Sequence, residues 1–87
     1  MLIVHENQLQ EVRIGVTASR SLGKAFQRNR AKRLIRAAIQ PLMDRIRSGH
    51  DLVWIARLPI LDTSFHEIQQ TMLLLMQRAN ILNPYER

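Results

Sequence analysis

The chain has no cysteine, which excludes a disulfide framework and any thiolate zinc site and agrees with a reducing cytoplasm as the expected location. It has no long apolar run. Stretches such as Met72 to Met76 are far too short to span a bilayer, so no membrane role is expected. The start, Met-Leu-Ile-Val-His-Glu, has no basic segment followed by a long apolar one and does not read as a signal peptide. There is no internal repeat, low-complexity segment or linker. No glycine-rich phosphate loop is present either, since Gly23-Lys24 lacks the rest of a P-loop. Acidic residues are in short supply, with 7 Asp+Glu against 13 Lys+Arg and a net charge of +6. That excess points to a polyanionic partner, either nucleic acid or an anionic surface.

What remains is ordinary globular composition, 46% hydrophobic and 23% charged over 87 residues, enough for one small domain. Leu2 to His5 reads as a strand, and Asn7 to Gln10 as a polar connection of hairpin length. From Val12 to Ser19 apolar and small or polar residues alternate. Val12, Ile14, Val16 and Ala18 share one face, and the other face is free for something polar to lie against it. Ser21-Leu22-Gly23 breaks the pattern. A helix is expected from about Ala25, with Ala31, Leu34, Ile35, Ala38, Ile39 and Leu42 as its buried stripe. Pro41 lies inside that stripe, and both a kink and a second short helix to Arg47 fit it.

Ser48-Gly49 is a stop. Leu52 to Ala56 is continuous and apolar, the pattern of a central strand buried on both faces. Pro59 stiffens a loop from Leu58 to Thr63. Ser64 and Glu67 form a capping box, with Glu67 expected to reach the Ser64 amide. The helix behind it carries Phe65, Ile68, Met72, Leu75, Met76 and Ala79 on one stripe and ends near Ala79-Asn80. The expectation is an α+β fold of order β-β-α-β-α, with helices on a small sheet of about three strands. It forms a single domain over residues 1–87, with an ordered core of about 2–80 and a tail of 81–87.

The strongest functional signal is the first helix. Lys24, Arg28, Arg30, Lys32, Arg33 and Arg36 fall in one window without an acidic residue. Arg28, Lys32 and Arg36 form one row along the helix, Asn29 and Arg33 an adjacent row, and Arg30 lies furthest round. Like charges one turn apart repel by a few tenths of a kcal/mol per pair, so an external polyanion is the natural neutraliser. The Arg fork suits phosphate and can stack on bases, and Asn29 adds a donor and an acceptor. RNA's deep major groove excludes a helix, so contacts to RNA would go to phosphates, sugars and unpaired bases.

Other constellations carry less. His5, His50 and His66 are too scattered for a metal site. Asp44, Asp51 and Asp62 lack the spacing of a two-metal nuclease, so neither a catalytic nor a metal-binding residue is assigned to the protein. Met72 and Met76 read as core filler. Trp54 reads as core, with an N–H needing a partner. A ribosomal-type protein, or a DNA reader with this helix in a groove, is the alternative function, although a DNA reader usually has a second helix crossing the backbone. A membrane-surface helix would need bulky apolar anchors where this one carries an Ala-rich stripe.

The run Arg13-Ile14-Gly15-Val16-Thr17-Ala18-Ser19-Arg20, followed by Leu22-Gly23-Lys24-Ala25-Phe26-Gln27-Arg28-Asn29-Arg30-Ala31-Lys32-Arg33-Leu34-Ile35-Arg36, resembles the bacterial ribonuclease P protein component. Asp51 to Arg57 and Phe65 to Ala79 resemble later elements of that family in the same order. The resemblance implies an accessory subunit of a ribozyme. The catalytic RNA subunit, with magnesium, cuts the 5′ leader from precursor tRNA. The protein binds that RNA through its basic helix and the leader in a cleft beside the sheet, and itself holds no cofactor. It assigns RNA contact to Arg20, Lys24, Arg28, Asn29, Arg30, Lys32, Arg33 and Arg36, and it implies a left-handed β-α-β crossover against the usual rule. His5 falls where the family often has an aromatic.

Two departures stand out. The family's extra N-terminal helix and basic arm, with aromatics lining the leader cleft, is expected to be missing here; a fragment, a misplaced start and a short member all fit. In addition, Ser21 replaces a usual Lys.

Overall fold

The computed structural model describes residues 1–83. The strands are β1 (Leu2–Glu6), β2 (Val12–Ala18) and β3 (His50–Ala56), and the helices are α1 (Ala25–Ile39) and α2 (Phe65–Arg78). This is the α+β order expected. The sheet runs β1-β3-β2. β3 is antiparallel to β1, with Leu2 opposite Trp54, and parallel to β2, with Ile14 opposite Leu52. α1 carries the chain from β2 across to β3, because parallel neighbours need such a crossover.

The short connection after β1 does not make a hairpin. The most continuously apolar strand, β3, takes the centre, where both its edges are hydrogen-bonded. The 7–11 connection arches over the end of β3 instead. The Asn7 N–H donates to the Gly49 carbonyl at 2.9 Å, and the Gly49 N–H donates to the Glu11 carbonyl at 3.0 Å. Gly49 has φ 86°, a left-handed geometry that glycine adopts without steric cost.

β3 is not buried on both faces. α1 and α2 share one side of the sheet, where they cover Leu52, Trp54 and Ala56, while Val53 on the other side is exposed. The alternation of β2 follows suit, with Ile14 and Val16 toward the helices and Arg13, Gly15 and Thr17 on the open side. Ala31, Ile35, Ala38 and Ile39 of α1 meet Ile68, Met72 and Met76 of α2 in the core. The Gln69 amide donates to the Ala38 carbonyl at 3.1 Å and fixes one helix against the other. Leu34 and Leu75 are only partly covered, while Phe65 and Ala79 are exposed at the ends of α2. A cavity of about 290 Å³ remains between β3, the two helices and the segment after β3, lined in part by Ile35, Trp54, Ile60 and Met72. The Trp54 indole N–H is buried without an acceptor among the described residues.

Pro41 ends α1. The chain continues as a 3-10 helix over Gln40–Arg45, the second short helix of the two alternatives, two residues shorter than expected. The segment expected to be a loop after β3 is a 3-10 helix over Leu58–Asp62, tied by the Thr63 hydroxyl donating to the Pro59 carbonyl at 2.7 Å. At the start of α2, Ser64 Oγ accepts from the Glu67 N–H at 3.1 Å and donates to the Glu67 carboxylate at 3.1 Å. The carboxylate thus takes the cap hydroxyl rather than the Ser64 amide.

The expected tail is part of the fold as far as residue 83. Asn80 has φ 58°. Its N–H donates to Gln77 and the N–H of Ile81 to Met76, the paired bonds of a Schellman motif. That turn sends Ile81 back into the core, where it is 2% exposed. Leu82 then bridges Ile46, with the Arg47 N–H donating to Ile81 and the Asn83 N–H to Arg45, both at 2.7 Å. Residues 84–87 of that expected tail lie outside the described residues.

Candidate nucleic-acid interface

The basic helix owes its orientation to small side chains. Ala31 and Ala38 are wholly buried and let α1 lie close on the sheet, while Ile35 and Ile39 fill the space beside them. Everything opposite this stripe faces outward. Asn29, Arg30, Arg33 and Arg36 are exposed, and Arg28 and Lys32 are half-buried at the edge of the packed face. Partial burial of this kind suits Arg and Lys, whose aliphatic stems can cover apolar surface with the charged ends in water. Lys24 is the exposed N-cap of α1 and Arg20 stands exposed in the 3-10 turn Arg20–Leu22. The structure therefore brings seven of the eight expected residues, Lys24 through Arg36, onto one helix, with Arg20 in the turn that leads into it. Leu22, fully buried, anchors that turn.

Among the described residues no carboxylate pairs with these cations, and the one ion pair joins Arg13 to Asp51. The sequence holds no Asp or Glu between Glu11 and Asp44. The first turn of α1 contains no acidic residue and its N-cap makes no side-chain bond, so the positive end of the helix dipole adds to the field. The arrangement concentrates uncompensated positive charge on a rigid surface, which suits a chain of phosphates.

The open face of the sheet is a second surface. Its rows, read across β1, β3 and β2, are His5–Asp51–Arg13 and Ile3–Val53–Gly15, with Thr17 beyond. Ile3 and Val53 are exposed, and Gly15 leaves the backbone bare beside them. A methyl group at Gly15 would meet Val53 Cγ2 at 3.7 Å, ordinary contact, so nothing within the fold demands glycine there. A bare strand glycine commonly marks close approach by a ligand. At one end of this face Arg13 Nε and Nη2 donate to the two Asp51 oxygens at 2.8 and 2.7 Å, and the Asn7 amide donates to Asp51 Oδ1 at 2.7 Å. The bonds from Arg13 and then Asn7 hold the Asp51 carboxyl down to about 2, and the same pairing raises Arg13. Nothing local in the sequence pairs Arg13, on the alternating run Val12 to Ser19, with Asp51, just ahead of the apolar run Leu52 to Ala56; the parallel register of β2 on β3 supplies the contact.

Fold and surface together define a small α+β protein built to present a cationic helix beside an open sheet face. Residues 1–80 match the family described as Ribonuclease P. The ribonuclease P protein component of Symbiobacterium thermophilum is 47% identical over 70 residues, covering 80% of this chain and 61% of that one. That of Alkaliphilus oremlandii is 32% identical over 85 residues, covering 95% and 75%. The RNase P protein structure of Staphylococcus aureus superposes with a TM-score of 0.78 at 29% identity, over 94% of this chain and 75% of that one. The Thermotoga maritima RNase P protein gives 0.78 at 27% identity, over 88% and 74%. The chain belongs to the ribonuclease P protein family. It spans about three fifths of the length of its Symbiobacterium relative. Among the described residues no helix is long and apolar enough to cross a membrane.

Proposed function

We propose that this chain serves as the protein subunit of a bacterial ribonuclease P ribonucleoprotein, assisting removal of the 5′ leader from precursor tRNA in the cytoplasm. The observation that carries the reading is the acid-free outer face of α1, whose Arg28-Asn29-Arg30-x-Lys32-Arg33 core forms no ion pair among the described residues. Arg28, Arg30, Lys32, Arg33 and Arg36 neutralise phosphates of the catalytic RNA, and Asn29 hydrogen-bonds a sugar or base edge. Lys24 and Arg20 extend the contact toward the sheet. The precursor's leader lies across the open face, over Ile3, Val53 and Gly15, with His5 and Arg13 at one end. Cleavage belongs to the RNA subunit and its magnesium, and the protein contributes charge neutralisation and positioning.

The test is cleavage of precursor tRNA by a bacterial ribonuclease P RNA at low magnesium, with and without the chain. Cleavage should rise on adding protein, and protein alone should cut nothing. Cleavage by RNA-free protein, or no effect on the RNA's activity, would overturn the proposal.

A further inference from the structure

Phe26 is the most exposed large hydrophobic side chain among the described residues. It is 66% exposed, against 51% or less for the others. It lies in the first turn of α1, nine residues before the buried Ile35. At ~100° per residue that places it opposite the packed stripe. It is not a member of the core cluster, so burial within the fold does not account for an aromatic ring there.

Its surroundings are cationic. Asn29 and Arg30 follow at three and four residues, and Arg33 at seven, so all three share its side of the helix. Each is exposed, none forms an ion pair among the described residues, and the sequence holds no carboxylate between Glu11 and Asp44. An apolar ring framed by arginines and one amide complements a nucleotide. The ring can take the flat face of a base, Asn29 its polar edge, and Arg30 and Arg33 the phosphates on either side. A duplex offers no free base face, whereas an unpaired nucleotide does.

We propose that Phe26 is a stacking platform for one unpaired nucleobase of the bound RNA, with Asn29 reading the edge of that base. This rests on the RNA-binding reading of α1 and sharpens it from phosphate neutralisation to recognition of a single-stranded nucleotide.

The experiment titrates the full chain with a short single-stranded oligoadenylate and with the same strand annealed to oligouridylate, across a salt series. Three variants are compared: Phe26→Leu, Phe26→Trp, and the double variant Arg28→Ala/Lys32→Ala. Because Phe26 is exposed, its variants should melt as the parent does. Phe26→Leu should weaken single-strand binding by about 5- to 150-fold and leave the duplex unaffected. Its log–log salt slope should stay that of the parent, because the same phosphates remain neutralised. Phe26→Trp should retain affinity and show fluorescence quenching on binding, over the constant signal of buried Trp54.

Unchanged single-strand affinity in Phe26→Leu, equal loss on both probes, or no measurable binding of the single strand by the parent overturns the stacking site. If the double variant also behaves as the parent, the RNA-binding reading of α1 fails with it. A weakened double variant beside an unaffected Phe26→Leu removes only the stacking site.

Discussion

Arg13 and Asp51 face each other across the parallel β2–β3 pair, joined by two hydrogen bonds of 2.8 and 2.7 Å. The bonds reach the two oxygens of one carboxylate, a bidentate geometry that is stronger and more directional than a single contact. Arg13 is the more exposed partner, and its guanidinium is held over the open face of the sheet rather than free to wander.

This pairing has a pH signature. The folded state holds the Asp51 carboxyl at about 2, below its ordinary 3.8, so the native protein binds fewer protons than the unfolded chain between those values. The stabilisation is complete above the ordinary value and is lost as pH falls toward about 2. In urea titrations, the gap in midpoint between the parent and Asp51→Asn should be flat from neutrality to about pH 5 and should close below about pH 4. A gap that stayed constant down to the lowest pH would show that the carboxylate's charge is not what stabilises the fold.

The cationic face predicts a salt effect. Arg28→Ala together with Lys32→Ala should weaken binding to the ribonuclease P RNA and reduce the log–log salt slope by about 0.7 to 0.9 for each phosphate no longer neutralised. Filter binding across a salt series measures both. A slope equal to that of the parent would mean that these side chains stay solvated in the complex.

Gly15 separates stability from binding. Gly15→Ala should raise stability by about 0.5–1 kcal/mol, since a strand-interior glycine carries an entropic penalty and the added methyl finds ordinary contact. Gly15→Leu projects over the open face and should lower the holoenzyme's preference for precursor over mature tRNA while leaving its affinity for the RNA subunit unchanged. Equal precursor and mature-tRNA ratios in Gly15→Leu and parent would place the leader elsewhere.

Ile81 tests the C-terminal return. Its side chain is as buried as that of Trp54, so Ile81→Ala should cost about 2–5 kcal/mol in chemical unfolding. A cost within about 0.5 kcal/mol, the range of surface substitutions, would mean that the segment after α2 does not belong to the core.

The strands, the two long helices and the cationic face were legible because each rests on periodicity or local chemistry. The alternation from Val12 to Ala18 and the stripe from Ala31 to Ile39 are period signals that the packing keeps. Pairing was not legible in the same way. A connection of hairpin length follows β1, yet the partner of β1 comes from beyond α1, because burying β3 in the centre outweighs proximity along the chain. The run Leu52 to Ala56 reads as buried on both sides; apolarity alone does not say whether a second layer exists to cover Val53. Ile81 was legible in principle, since an asparagine suited to the left-handed geometry followed by an apolar residue is the Schellman signature. Phe26 was legible in principle as well, since the stripe from Ala31 to Ile39 fixes the packed side of α1 and Phe26 falls half a turn away from Ile35.

The central place of β3 also governs when the molecule can form. On a ribosome, β1, β2 and the arginine-rich helix all emerge before the strand that both outer strands need. Until residues 50–56 are made, the nascent chain offers two unpaired strand edges and a polycationic helix with no sheet to dock on. Long-range pairing of this kind slows folding and leaves exposed edges open to misassociation. On the proposed role as a ribonucleoprotein subunit, early capture of the helix by RNA would shield the nascent chain during that interval and make synthesis and assembly steps of one process.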